Sequence, residues 1–442
     1  LTFLPFFNVL TGKNFTFAFV SSPVFLLACV LGWAGLTVLA GLYPAQYLSS
    51  FSPKEILKGT HSGMGGNSSL RKGLVIVQFA ASIILIISTL VLYRQLAFMR
   101  EKKLGFEPEQ VIAIGTRAAT SRDQVNSLKA AIEALPFVKS AARSQAVPGE
   151  GGSGRTLPPL DNVGEAKNLT TVRATPEIVD VLGIKLLAGK SLPEKNPGDT
   201  TVQVVLNKSA VDFLGLTPED AINRKIEVYG FGERVEVTGV IEDFNFTSLR
   251  EPIGAYAFHN APTEGYSVLV VKLATDDPVQ AIARIESEFK KIIPSAFEYT
   301  FLDQYMLTLY NSEEQLAQVI LVFSGLAIFI ACLGLYALAA YTTEQRTKEI
   351  GIRKVMGASI FQLSTMLSTD FIKLVLISFA VAVPVGYFAM NKWLEGFAYR
   401  VEISWAIFLI AGVISVLIAW FTVGFESLKA ARSNPMKSLR TE

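Results

Sequence analysis

The residues best placed to do chemistry are Glu344, Arg346, Lys348, Glu349, Arg353 and Lys354, packed into eleven positions directly after an uncharged apolar run. Their chemistry is ion pairing. On a helix, Glu349 and Arg353 form an i,i+4 pair in the favourable order. Ile350, Val355, Met356 and Ile360 of the same stretch cannot all face water without cost, and Gly351 and Gly357 each weaken a helix interior by roughly 1 kcal/mol. The expectation is a short, interrupted helix under a membrane, apolar on one side. Pattern alone leaves two readings open: a helix anchored among lipid headgroups, or a knob seated in a groove of a cytoplasmic partner.

Elsewhere the sequence offers little for catalysis, and no catalytic, cofactor-binding or metal-ligating residue is expected. His61 stands in a Ser/Gly-rich linker and His259 in the middle of the chain, neither with a partner at ligand or triad spacing; both read as surface or turn histidines. "LTGKNF" at 10–15 contains Gly-Lys but lacks the glycine five positions earlier that a phosphate loop needs. "GEGGSGR" at 149–155 follows no apolar strand and opens no helix, so it reads as a hinge or lid.

The charged cluster must be positioned by membrane elements. The chain of 442 residues is 50% hydrophobic and only 18% charged, with mean hydropathy +0.40, against about 25% charged in soluble domains. A net charge of +2 implies no nucleic-acid partner. Four apolar runs, 22–43, 73–93, 315–343 and 403–425, are long enough to cross a bilayer, and 371–391, with Lys373 near one end and Pro384 inside, makes a fifth. Their interiors hold no ionisable residue at mid-bilayer, which argues against an ion-coupled transporter. Cys29 and Cys332 lie inside such runs, where thiols behave as small hydrophobes. Flanking Lys and Arg at 44–72, 344–354 and in the tail put these three segments in the cytoplasm; Arg94, Arg100, Lys102 and Lys103, beyond the second run, go against that bias.

Between the second and third runs lies globular text. "VIAIG" (111–115), "VQVVLN" (202–207), "RVEVTGVI" (234–241) and "SVLVVKLA" (267–274) predict strands. Residues 122–135 and 277–293 predict helices, the second with Asp277 as N-cap and Pro278 at the first helical position. Leu92, Leu96 and Met99 extend an apolar stripe past one span, and Tyr305, Leu309 and Leu316 lead into the next, which predicts a helical stalk. "YLSSFSPKEILKG" (47–59) resembles "SLKAARSNPMKSLRT" (427–441), as if one unit ended and a second followed. Because the chain opens on Leu1, an upstream part is expected.

"TTEQRTKEIGIRKVMGAS" resembles the coupling segment of FtsX-like/MacB-like ABC-transporter permeases. "VVLNKSAVDFLGLTPEDAINRKI" with "VEVTGVIEDFNFTSL" is similar to the extracytoplasmic core domain of that family, and "ARSNPMKSLR" to its usual ending. One departure is Asn223, where a glycine is common. The resemblance implies an α-helical membrane bundle, about five spans in this chain, with one inserted extracytoplasmic α/β (α+β) domain on a helical stalk. The expected division is 1–59, the end of a first permease unit; 60–72, a cytoplasmic linker; 73–104, span and stalk; 105–303, core domain; 304–343, stalk and span; 344–366, coupling segment; 367–425, two spans; and 426–442, a cytoplasmic tail. It further implies a non-catalytic subunit of a bacterial inner membrane. ATP would be bound and hydrolysed by a separate cytoplasmic ABC ATPase dimer, with a periplasmic adaptor or outer-membrane component as a further partner. Ile350, Ile352, Val355 and Met356 would seat in the ATPase, Glu344, Arg346, Glu349 and Arg353 would set register, and Gly357 belongs to the same segment. The competing reading is a membrane sensor that reports a ligand outside to a cytoplasmic partner.

Overall fold

A computed structural model describes residues 4–49, 66–161, 163–195, 201–231, 235–262, 265–346, 349, 352–353 and 356–432. In chain order, two long helices come first, α1 (Pro23–Ser49) and α2 (Gly66–Glu101). Then follow β1 (Val111–Gly115), α3 (Arg122–Glu133), β2 (Val138–Ser144), β3 (Ser153–Leu157), β4 (Lys167–Arg173), β5 (Leu186–Gly189) and β6 (Gln203–Asn207). Next are α4 (Lys208–Phe213), β7 (Lys225–Ile226), β8 (Val235–Ile241), β9 (Ala255–His259), β10 (Val268–Leu273), α5 (Pro278–Ile292) and β11 (Tyr299–Phe301). The chain ends with α6 (Leu302–Thr308), α7 (Asn311–Gln345), α8 (Ile360–Leu394) and α9 (Trp405–Arg432). Shorter helical pieces, such as Ile178–Val181, are named by their residues.

The chain divides into two units, one of Leu1–Leu96, Ser312–Leu394 and Val401–Glu442, the other of Ala97–Asn311 and Glu395–Arg400. In the first, α2, α7, α8 and α9 contain stretches long and apolar enough to cross a membrane, and Pro23–Val38 of α1 is a shorter apolar stretch. The four pack on one another through a cluster that takes Phe79 from α2, Leu335 from α7, Phe371 from α8 and Val423 from α9. Gly334 lets α2 and α7 approach closely, since a Cβ there would fall 2.5 Å from Gln78 Oε1. Thr89 and Ser324 hydroxyls join the same two helices at 3.1 Å, a use of small and hydroxylated residues typical of helix pairs in lipid. Leu92 and Leu96, part of the predicted stalk stripe, pack with Ala317, Ile320 and Trp393.

The second unit holds two sheets. One is antiparallel, in the order β11-β1-β10-β2. Its outer cover is α3 and α5, which bury Leu128, Ile132, Ile285 and Phe289 at helical spacing. Asp277 caps α5, its carboxylate accepting from Gln280 N–H at 3.1 Å, with Pro278 next as expected. The other sheet is mixed, in the order β3-β4-β9-β6-β8-β5 with β7 on β8. In sequence it is inserted between β2 and β10 of the first. A core containing Phe244, Tyr256, Phe258 and Val270 draws on strands of both sheets. Leu302 and Met306 of α6 belong to that core, and Tyr305 and Leu309 pack against it. These two members of the predicted stalk stripe therefore serve the core domain.

Asn207 shows how the mixed sheet is tied down. Its buried amide caps α4 by accepting from Ala210 N–H and also accepts from Tyr256 N–H, while donating to Asp243 Oδ1 and Gly254 O. All four bonding positions of the amide are used. Asn223 has φ 59, a left-handed turn that glycine takes freely and asparagine tolerates. That accounts for asparagine standing where a glycine is expected.

The expectation for "GEGGSGR" is corrected. Ser153–Leu157 is strand β3, paired in register with β4 from Ser153↔Thr171 to Leu157↔Lys167, so only Gly149–Gly152 remains a turn. His259 is likewise no surface residue: it is fully buried in β9. Neighbouring Ala255, Tyr256, Ala257 and Phe258 are buried too, and an apolar strand between two others carries its histidine inside with it.

Candidate functional site

α7 carries the chain to Gln345. Glu344, in its last turn, is exposed, and Gln345 Nε2 donates to the Tyr341 hydroxyl at 2.8 Å. The Arg71 guanidinium lies 4.3 Å from the Tyr341 ring centroid, so the basic start of α2 and the last turn of α7 share one end of the bundle. Arg346 N–H donates back to the carbonyls of Thr342 and Thr343. Its NH1 lies 3.3 Å from Asp370 Oδ2 on α8, and Lys373 Nζ lies 3.7 Å from the other oxygen of that carboxylate. Glu349 and Arg353 form the expected i,i+4 pair at 2.8 Å, and Arg353 also donates to Met366 Sδ. Ile350 and Val355, predicted to supply apolar surface, lie outside the described residues, as do Lys348, Gly351 and Lys354.

The segment has a built stop and a built start. Met356 N–H donates to Ile352 O and Ala358 N–H to Arg353 O, each at 3.0 Å, with Gly357 between them at φ +92. A six-to-one bond over a left-handed glycine is a common helix ending. Two residues later, Ser359 Oγ accepts from Gln362 N–H at 3.2 Å and Gln362 Oε1 accepts from Ser359 N–H at 3.0 Å. This reciprocal pair is a capping box that opens α8.

Ahead of the stop, apolar side chains face outward: Ile352 is 52% exposed and Met356 82%. An exposed ion pair such as Glu349–Arg353 is worth about 0–1 kcal/mol, whereas burying one such apolar side chain is worth about 1.5–3 kcal/mol. Covering such an apolar side chain would therefore contribute more than the exposed ion pair does. Among the described residues no group of three His, Cys, Asp or Glu side chains is placed to hold a metal.

Comparison with known proteins locates this segment in a family. The FtsX-like permease C-terminal family matches residues 321–435, which contain the whole segment with α8 and α9, and the MacB-like periplasmic core domain family matches residues 74–288. The chain belongs to the FtsX-like permeases with a MacB-like core domain. An uncharacterised ABC transporter permease, YknZ of Bacillus subtilis, is 29% identical over 121 residues, which is 27% of this chain and 30% of that relative's length. Among solved structures, the periplasmic region of MacB from Actinobacillus actinomycetemcomitans aligns with TM-score 0.34 and 17% identity, over 48% of this chain and 97% of that one. The extracellular domain of YknZ from Gram-positive bacteria aligns with TM-score 0.30 and 15% identity, over 43% and 98%.

As an FtsX-like permease the chain is a multi-pass membrane protein with an extracytoplasmic domain. Of the predicted segment residues, Glu344, Arg346, Glu349, Ile352, Arg353, Met356 and Gly357 are among those described. Asp370, Met366, Ser359 and Gln362 were not singled out from the sequence. The Ser-x-x-Gln spacing signalled the capping box; Asp370, one residue before the apolar run 371–391, carried no signal of its own.

Proposed function

We propose that this permease couples ATP hydrolysis on a separate cytoplasmic ATPase dimer to movement of its extracytoplasmic domain, in export or extraction of a peptide, drug or lipoprotein cargo. The segment 344–358 seats in a groove of the ATPase, with Ile352 and Met356 as buried contacts and Arg353, Glu349, Arg346 and Glu344 setting register. The observation that carries this reading is the pairing of exposed Ile352 and Met356 with a rigid frame, the glycine stop at Gly357 and the capping box at Ser359. A docking element that must push or be pushed needs such a frame. Arg346 tied to Asp370 links the segment to α8 as well as to α7, so displacement at the segment reaches two spans. In this reading the spans transmit motion and conduct nothing, which fits the absence of Asp, Glu, Lys and Arg from residues 73–93, 315–343, 374–391 and 403–425. The chain itself is non-catalytic and holds no cofactor, and an adaptor or outer-membrane partner acts on the outer domain. The test is co-purification and ATP turnover of the complex with Met356→Asp. Wild-type assembly and turnover in that variant would remove the docking role.

A further inference from the structure

The chain crosses between the two units after Leu96, Asn311, Leu394 and Arg400. The last two crossings bound Glu395–Arg400, the loop that joins α8 to α9 and belongs to the second unit. One short stretch of the core domain, 245–250, meets the chain of that unit near each of these crossings. Asn245 takes the exit of α2: its backbone N–H and its Nδ2 both donate to Leu104 O, at 2.7 and 3.2 Å. Leu249 takes the entry to α7, its N–H donating to the Tyr310 hydroxyl at 3.4 Å, with both residues buried. Arg250 takes the loop. Its carbonyl accepts from Ala398 N–H at 2.9 Å, and its guanidinium carbon lies 4.9 Å from the ring centroid of buried Phe397.

The stretch is itself held in the core. Phe246 belongs to the cluster that draws on both sheets, its ring centroid 4.6 Å from that of Tyr256, and its carbonyl accepts from Gly149 N–H at 2.9 Å. Ser248 closes a turn ahead of Arg250, its carbonyl accepting from Glu251 N–H at 3.0 Å and its Oγ from Arg250 N–H at 3.3 Å. The loop has little slack. Glu395 and Gly396 are all that separate Leu394, the last residue of α8, from Phe397, and each residue adds at most about 3.5 Å of reach. Lys102, just beyond α2, holds the same loop at a second point, its ammonium 4.0 Å from the Tyr399 ring centroid. Travel of α8 beyond that short reach therefore loads bonded contacts on the core domain.

We propose that 245–250 is the junction at which movement of the spans enters the core domain, with Glu395–Arg400 as a third link beside α2 and α7. Through this link α8, which Asp370 ties to Arg346 of the coupling segment, acts on the core domain without passing through α7. Packed interiors transmit strain rather than absorb it, so a load on 245–250 reaches both sheets through Phe246. Asn245, Leu249 and Arg250 are positioning residues in this scheme. It rests on the coupling reading given above and names the outer end of that coupling.

The test is amide hydrogen exchange of the full permease in complex with the ATPase, with and without the non-hydrolysable analogue AMP-PNP, read on peptides covering 344–358 and 245–250. In wild type the nucleotide is expected to change exchange in both. A slackened variant carries Gly-Gly-Ser insertions between Leu394 and Glu395 and between Arg400 and Val401, which leave the loop's own residues in place and add flexible coil. Its change at 344–358 is expected to persist while its change at 245–250 falls to less than half. A second variant, Lys102→Ala with Arg250→Ala, keeps the loop's length, removes two ring contacts and is expected to fall in the same direction; it decides the outcome if the insertions prevent folding. Equal changes at 245–250 in wild type and the folded variants, or none there in wild type beside a change at 344–358, would overturn the junction and leave the coupling reading standing. No change at 344–358 in wild type would remove the coupling reading, and the junction with it.

Discussion

Ala358 N–H donates to Arg353 O across Gly357, at 3.0 Å, with the glycine at φ +92. Arg353, one of the residues proposed to set register on the ATPase, is thereby also the residue on which the segment's helical turn closes. Geometry and recognition are joined at one position, and they can be separated by mutation.

Gly357→Ala places a Cβ in the left-handed region, at a cost of about 1 kcal/mol, and Gly357→Val, β-branched, costs more. Among the described residues no atom lies within 4 Å of the added carbon, so the strain is conformational. Membrane insertion and yield are expected to match wild type, while ATP turnover of the assembled complex falls, more for Val than for Ala. Turnover equal to wild type in the Val variant would show that the stop is not needed for coupling.

Affinity and register should respond differently to substitution. Arg353→Ala removes an exposed pair with Glu349 worth about 0–1 kcal/mol and is expected to weaken ATPase association less than tenfold. Met356→Asp replaces apolar contact with a charge needing solvation and is expected to weaken it by more than a hundredfold. Arg353→Glu, which puts two carboxylates at i,i+4 with Glu349, should sit between the two. Pull-down titrations with purified ATPase order the three, and the reverse order would argue for an electrostatic dock.

How far these features were legible depended on what each residue's neighbours announced. β1, β6, β8 and β10 were visible because Val and Ile runs mark strands buried on both faces. β2 ("VKSAARS") and β4 ("KNLTTVR") were not, since more than half their residues are polar. Their strand state comes from pairing with β10 and β9. Lys102 was an exception to the charge bias flanking the spans; its ammonium sits 4.0 Å from the Tyr399 ring centroid, so it serves a contact within the outer unit rather than topology. The family was legible from the Arg-Thr-Lys-Glu-Ile-Gly-Ile-Arg-Lys text, whereas the frame around that segment required atoms, because a carboxylate such as Asp370 gains meaning only beside Arg346.

Sidedness follows from the same elements. A cysteine at Glu344, exposed in the last turn of α7, is expected to resist an impermeant thiol reagent in intact cells and to react after permeabilisation. A cysteine at Glu165, exposed between β3 and β4, is expected to react in both. Labelling in the opposite pattern would reverse the orientation.

His259 gives the outer unit a defined acid sensitivity. Burial first, then the charges of Arg155, Arg173 and Lys195, push its pKa down from 6.5 to about 3, so the folded state holds it neutral. The unfolded chain takes up a proton near pH 6.5 and the folded chain only near 3. Between those values the unfolded state binds more protons, and stability falls as pH falls, by up to about 1.4 kcal/mol per pH unit from this group. Above pH 6.5 its contribution is fully present. The His259→Asn variant keeps an acceptor for Ala261 N–H, which now donates to Nδ1 at 3.1 Å, and removes the titration while losing packing against Phe231. It is expected to be less stable than wild type at pH 7.5 but to lose less on going to pH 5. Thermal melts of the full chain at the two pH values check this, and an equal loss in both proteins would place the acid sensitivity elsewhere.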